Sequence, residues 1–370
     1  MIKKAALTAL AIILLLGVLA PVPLRAAGGL TVLTTSAVKD FPASITFKIT
    51  AESDAAITDV RLNYVVERME HARITSEVYV GVEPTTSVAT QWVWDMRKTG
   101  GLPPGSSVAY WWAVSDASGK KVKTALARVQ IEDNRYDWVG ITEGKVTLYW
   151  YRGNEFFIKE LMTATKAALD RLSENTGAEL ESPVRIYIYA SAQDLRGSMI
   201  YPQDWTGGVA FTRYSIIALG IAPNLNDLAW GKRVIAHELT HLVIHQVTFN
   251  PYGELPTWLD EGLAMVAEGP LESTFVTALY KARTDGQLIS VRSLASPFSA
   301  YADESILAYA QSQQVVKYLI DEYGREKMLK LLMTFHQGSG YDQALKTVYG
   351  FDMDGLDAQW RASFKGGLVQ

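Results

Sequence analysis

The chain has 370 residues, 48% of them hydrophobic and 20% charged. This is a globular composition that excludes wholesale disorder, and the length exceeds what one core normally fills, so two domains are expected. The net charge of −4 argues against nucleic acid as a partner. With no cysteine anywhere, disulfides, thiolate ligands and a cysteine nucleophile are all excluded, so any metal must be held by histidine and carboxylate.

Residues 1–27 open with the basic Lys3 and Lys4, continue as an uncharged apolar run from Ala5 to Ala20, and end in Pro21 to Ala27 with small residues. That is the plan of a secretory signal, and the reading leaves open whether it is cleaved or stays as an N-terminal anchor. Either way the remainder is expected outside the cytoplasm, with membrane contact only through that segment.

Residues 30–133 read as short strands parted by turns: Ser44 to Thr50, Val60 to Val66, Ser87 to Trp94, Ser107 to Val114 and Lys123 to Ile131. Regular spacing of this kind predicts an all-β sandwich of immunoglobulin or fibronectin type. Trp92, Trp94, Trp111 and Trp112 are expected to fill and cover its core by alternation, and His71, set among charged residues, is expected to be solvated. No chemistry is assigned to this domain.

The rhythm changes over residues 138–370. A strand is predicted at Lys145 to Tyr151, then a helix capped by Asn154 and stopped by Gly177, and further strands at Val184 to Tyr189, Gly208 to Thr212 and Ser215 to Gly220. From Asn226 onward the pattern is helical. Strands followed by helices describe an α+β domain with a helical C-terminal part.

Residues 234–247 carry His237-Glu238-Leu239-Thr240-His241. Residues four apart on a helix lie one turn above each other, so the two rings can meet at one ion while Glu238 projects beside it as a general base. A catalytic zinc takes three protein ligands. The stretch Trp258-Leu259-Asp260-Glu261-Gly262-Leu263-Ala264 follows a turn-rich loop that folds a second helix back. Asp260 and Glu261 diverge by about 100° around that helix, so one of the two is expected to be the third ligand. Glu268, on the face of Glu261, is expected to orient a ligand histidine. His245, one further turn along, is read as a supporting or packing residue, and His336 as structural.

These two segments resemble the gluzincin peptidases, specifically the peptidase-MA-like domains of exported proteins, over about Trp138 to Phe364. The resemblance implies a zincin-like, thermolysin-like catalytic domain with one Zn2+ held by His237, His241 and Glu261. It implies a peptide or protein substrate, and it offers Tyr309 in Tyr309-Ala310-Gln311-Ser312 as the group that stabilises the oxyanion, with Tyr301 in reserve. In aminopeptidases of this clan a Gly-Ala-Met-Glu-Asn strand binds the substrate amine. Here the matching stretch is Gly207-Gly208-Val209-Ala210-Phe211, whose missing acid argues against aminopeptidase specificity and whose glycines suit pairing with a substrate backbone. Two other readings stay open: an adhesion or scaffold protein with a structural or inactive zinc site, and a zinc hydrolase of non-peptide substrates. The sequence carries no signal of oligomeric state.

Overall fold

The computed structural model describes residues 29–364 except Trp205 and Ala300. The secretion or anchor reading of residues 1–27 therefore lies outside the described residues. Among the described residues no helix is long and apolar enough to cross a membrane.

The N-terminal region is all β: β1 (Thr31–Asp40), β2 (Ser44–Glu67), β3 (Ser76–Tyr79), β4 (Thr85–Asp95), β5 (Ser106–Asp116), β6 (Lys121–Lys123) and β7 (Ala127–Ile131). The two strands expected at 44–50 and 60–66 are one continuous strand. The first half of β2 pairs with β1 and β4. Its second half pairs with β3 and β5, and the register shifts between Glu52 and Ile57. The Asp-Ala-Ala stretch that reads as a turn is thus an irregularity where the strand passes from one group of partners to the other. Conversely, the single strand expected at 123–131 is split into β6 and β7.

Alternation along these strands fills one core with Ile45, Phe47, Ile49, Leu62, Val108, Tyr110 and Trp112. Trp112 and Trp94 are buried, Trp92 packs partly buried against that core, and Trp111 lies under Lys123. The tryptophans are accounted for as packing.

The second region begins with β8 (Val139–Glu143) and β9 (Val146–Trp150), followed by α1 (Glu155–Thr176), β10 (Val184–Tyr189), α2 (Ala192–Arg196), β11 (Gly208–Phe211) and β12 (Ile216–Gly220). The remainder is helical: α3 (Leu225–Thr248), α4 (Thr257–Glu268), α5 (Ser273–Thr284), α6 (Ala302–His336, bent at Gly324), α7 (Tyr341–Tyr349) and α8 (Met353–Ser363). The α1 boundaries follow from local chemistry. Asn154 accepts a hydrogen bond from the Phe157 N–H at the start, and Gly177 takes the left-handed conformation at the end.

Five strands form one sheet in the order β11-β12-β10-β9-β8, parallel at its centre and antiparallel at both margins. Ile186 and Ile188 turn to the face covered by α1 and α3. Tyr187 and Tyr189 turn to the opposite face, among Trp138, Tyr149 and Tyr151. That aromatic face meets the segment linking the two regions, where Tyr189 donates its hydroxyl proton to buried Asp133 at 3.0 Å. Arg185 donates to the Gly105 carbonyl. The molecule is an all-β sandwich followed by an α+β zincin-like domain with a helical C-terminal part, and the two are joined by buried polar contacts.

Candidate metal centre

Helix α3 is buried along one side by Ile235, Ala236, Leu239, Leu242 and Val243. The other side carries His237, Glu238, His241 and His245. The i, i+4 spacing brings the first two rings to a centroid separation of 4.8 Å and their Nε2 atoms to 3.1 Å. Loop 249–256 returns the chain so that α4 packs on α3 and on α6. Gly262 sets how closely α4 approaches α6: a Cβ there would lie 2.5 Å from Val316 Cγ2 and 2.6 Å from the Ser312 carbonyl oxygen.

That approach places Glu261 Oε2 at 3.4 Å from His237 Nε2 and 3.5 Å from His241 Nε2. One donor atom from each of the three residues lies within 4.8 Å of the others. Glu261 Oε2 is buried and has no hydrogen-bond partner. An orphaned carboxylate oxygen facing two imidazole nitrogens fits a shared cation, and two histidines with one glutamate form a donor set suited to zinc.

The surroundings fix the ring orientations. Glu268 Oε1 lies 2.7 Å from His237 Nδ1, and its other oxygen accepts from Arg233 Nη2 at 3.0 Å. Asp260 Oδ1 lies 3.0 Å from His241 Nδ1. Each imidazole therefore has one nitrogen directed to Glu261 and the other to a second carboxylate. The sequence offers Asp260 only as the alternative to Glu261 for the third ligand, not as a partner of His241, and does not single out Arg233. Both carried a readable signal: Arg233 sits one turn before His237, and Asp260 starts about 100° round the helix from Glu261, toward the far side of the His241 ring.

Burial opposes charge on His237, but the facing carboxylates of Glu261 and Glu268 outweigh that and hold its pKa up at about 9. His241 is raised likewise, with Asp260 and Glu261 overcoming burial. Glu261 is also penalised by burial, yet the two histidines hold its carboxyl well below the ordinary range. Burial, helped by the Glu261 charge and opposed by the two histidines, pushes Glu238 up. Four carboxylates thus surround two imidazoles, an environment that favours positive charge.

Glu238 is not in the ligand group. It lies under β11, where the Ala210 N–H hydrogen-bonds its carboxylate. A Cβ on Gly208 would come within 3.1 Å of Glu238 Oε1 and 2.8 Å of Leu219 Cδ2, so only glycine leaves this approach open. Val209 packs toward the aromatic face, and the Gly207 carbonyl accepts from the Gly220 N–H. Among the described residues β11 pairs only with β12, so it is a sheet edge.

Tyr309 lies three residues before Ser312 on α6 and is half-buried. Burial raises its pKa, followed by the charges of Glu261, Glu238, Glu268 and Asp260, which puts its hydroxyl within electrostatic reach of the site. Phe298 packs edge-on against its ring. Tyr301 is 70% exposed at the start of α6. His245 stands apart from the ligand group, its ring tilted on Phe249. His336 is exposed at the far end of α6.

A sandwich-plus-α+β chain with a histidine pair one helical turn apart and a glutamate returned by the next helix has the architecture of a metallohydrolase. The profile of the Peptidase MA superfamily matches residues 163–366, more than half of the chain, and the protein belongs to that superfamily. No curated protein matches it. Among solved structures it is similar to an M1 zinc metallopeptidase from Deinococcus radiodurans, at 15% identity over 90% of this chain and 94% of that one, with a TM-score of 0.35. It is also similar to an aminopeptidase N family protein from Idiomarina loihiensis, at 10% identity over 90% and 73%, with a TM-score of 0.36. OgpA from Akkermansia muciniphila, solved with an O-glycopeptide substrate, aligns at 8% identity over 29% of this chain, with a TM-score of 0.22. This chain spans only 30% of that one.

Proposed function

We propose that the protein is an exported zinc-dependent peptidase of the gluzincin type, with one zinc ion held by His237, His241 and Glu261. The observation that carries this reading is the convergence of two imidazole Nε2 atoms on an unpartnered Glu261 oxygen, beside the half-buried Glu238 under a sheet edge. When bound, zinc supplies Lewis acidity, making a water acidic enough to lose a proton near neutral pH and polarising the carbonyl to be attacked.

The remaining steps belong to the chain's own groups. The open edge of β11 pairs with an extended substrate backbone and brings a peptide bond over Glu238. Glu238, raised by burial, accepts the proton from the attacking water and delivers it to the leaving amine. Tyr309 keeps its proton because burial and the nearby carboxylates raise its pKa, and it donates a hydrogen bond to the developing oxyanion. The basic, apolar and small-residue succession of residues 1–27 supports export.

A structural zinc site is usually closed by four protein ligands. Among the described residues only three converge, which favours the hydrolase over a scaffold with structural zinc. The test is incubation of the purified protein with a mixed peptide library, with and without chelator, and mapping of the cut sites by mass spectrometry. Cuts that vanish with chelator and return with added zinc are expected. A zinc-loaded protein that cuts nothing in the library counts against peptidase action.

A further inference from the structure

Two connections frame the C-terminal half of α3. On one side the short turn Thr212–Tyr214 joins β11 to β12, whose ends pair at Phe211 and Ile216. On the other, loop 249–256 leads to α4 and Glu261. The two face each other across a cavity of about 250 Å³, with Thr212 and Arg213 on one wall and Phe249 and Glu254 on the other, so they do not pack on one another there.

The loop after β2, in the other domain, touches both. Its Met69 N–H donates to the Arg213 carbonyl at 2.7 Å. Arg68, ion-paired with Glu70, also reaches the Tyr214 hydroxyl, and the Tyr214 ring packs on the sandwich core as well as on the aromatic face of the five-stranded sheet. Two residues beyond Met69, His71 stacks on the Phe249 ring with centroids 4.1 Å apart and planes 8° from parallel. His71 is exposed, as its charged neighbours suggest, yet one ring face is covered by the α+β domain. The grip bears on the reaction through β11. Arg213 lies three residues beyond Ala210, whose N–H hydrogen-bonds Glu238, which is at most about 10 Å of backbone. Ser215 closes the turn with φ at 52°, a left-handed conformation that serine keeps only under restraint. Helix α3 supplies part of that restraint, since Gln246 Nε2 donates to Ser215 Oγ at 3.2 Å, and the sandwich loop adds its own at Arg213 and Tyr214.

We propose that Arg68, Met69 and His71 of the N-terminal sandwich are positioning residues of the catalytic site: their loop braces the β11–β12 turn against the α3–α4 loop and so fixes the height of β11 over Glu238. The sandwich is then a working part of the hydrolase, acting through β11 without touching the substrate or the metal. This role rests on the peptidase reading and deepens it. Because the edge of β11 that pairs with the substrate and the Ala210 N–H that meets the general base belong to one short strand, a brace at its end sets both together.

The test reads the brace apart from turnover. Hydrogen–deuterium exchange of the zinc-loaded full chain is compared among wild type, the double variant Arg68→Ala/His71→Ala, and Arg61→Ala, which breaks a partly exposed ion pair of the same sandwich. Arg68 and His71 are exposed, so folding and zinc content should hold. In the double variant the amides of β11 and of the turn after it should exchange about tenfold faster, with β9 and β10 unchanged and Arg61→Ala like wild type throughout. On a peptide that the wild type cleaves, the double variant should lose about tenfold in kcat with KM within about twofold, because a small shift of β11 against Glu238 costs rate more than binding. Arg68→Ala/His71→Phe keeps a ring on Phe249 and should recover most of that loss. Unchanged exchange at β11, faster exchange spread evenly through both domains, or full kcat in the double variant each overturns the proposal. If the wild type cleaves no peptide at all, the peptidase reading fails, while exchange at β11 still decides the brace.

Discussion

Glu268 bridges two residues of α3: one oxygen lies 2.7 Å from His237 Nδ1 and the other accepts from Arg233 at 3.0 Å. The ion pair holds the carboxylate in place, and the carboxylate decides which nitrogen of His237 faces Glu261. Replacing such a partner typically weakens metal binding by about 10–100-fold. Glu268→Ala should lose zinc affinity on that scale in competition with a chromophoric chelator. Unchanged affinity would remove the orienting role.

Glu238 contributes no ligand atom, so Glu238→Gln should bind zinc with unchanged stoichiometry while turnover falls by about 10²–10⁴-fold. Metal analysis and a peptide assay on one preparation check both halves.

Gly208→Val forces a side chain against Leu219 Cδ2 and Glu238 Oε1, within 2.8 and 3.1 Å of the new Cβ. Either β11 lifts or Glu238 turns away. A displacement of about 1 Å costs on the order of 10²-fold in rate, so kcat/KM should drop by that order with zinc content retained. A variant of wild-type kcat/KM would show that β11 plays no part.

Tyr309→Phe should lower kcat by about 10²-fold with little change in KM, as expected for a donor used mainly in the transition state. Tyr301→Phe is the control: its exposed ring predicts wild-type kinetics, and a large loss there would move the oxyanion role to it.

The sandwich has its own pH dependence. Asp116 is buried and accepts from the Ser118 and Ser53 hydroxyls, hydrogen bonds that bring its pKa down to about 2 from 3.8. A depressed carboxyl contributes stability that is present above the unfolded value and lost as pH falls through the folded one. The melting temperature should therefore fall between pH 4 and 2, and Asp116→Asn should be less stable at pH 7 with a shallower loss over that window. Parallel melting curves from pH 7 to 2 read both effects.

Much of the site is local and hence readable. The histidine pair follows from four-residue spacing, and α1 follows from its Asn154 and Gly177 caps. The choice between Asp260 and Glu261 needed more than spacing, because both face the histidines, one at each end of the His241 ring. Two features rest on distant contacts. β2 runs through Ser53-Asp54-Ala55-Ala56, a stretch with turn composition, because β4 and β5 hold it on either side of the irregularity. His71 meets Phe249 only after two domains dock, a pairing that no window of sequence contains.

Gly262 never touches the metal site, yet it works as the gauge for it. The gap between α4 and α6 is the width of a missing methyl group, and Glu261 is the adjacent residue on the helix so positioned. Even alanine at 262 would act as a shim, prising α4 away from Val316 and Ser312 and carrying the third ligand out of register with the two histidines. Loss of metal with all ligands intact is the signature such a change would leave, and it makes position 262 as sensitive as the ligands themselves.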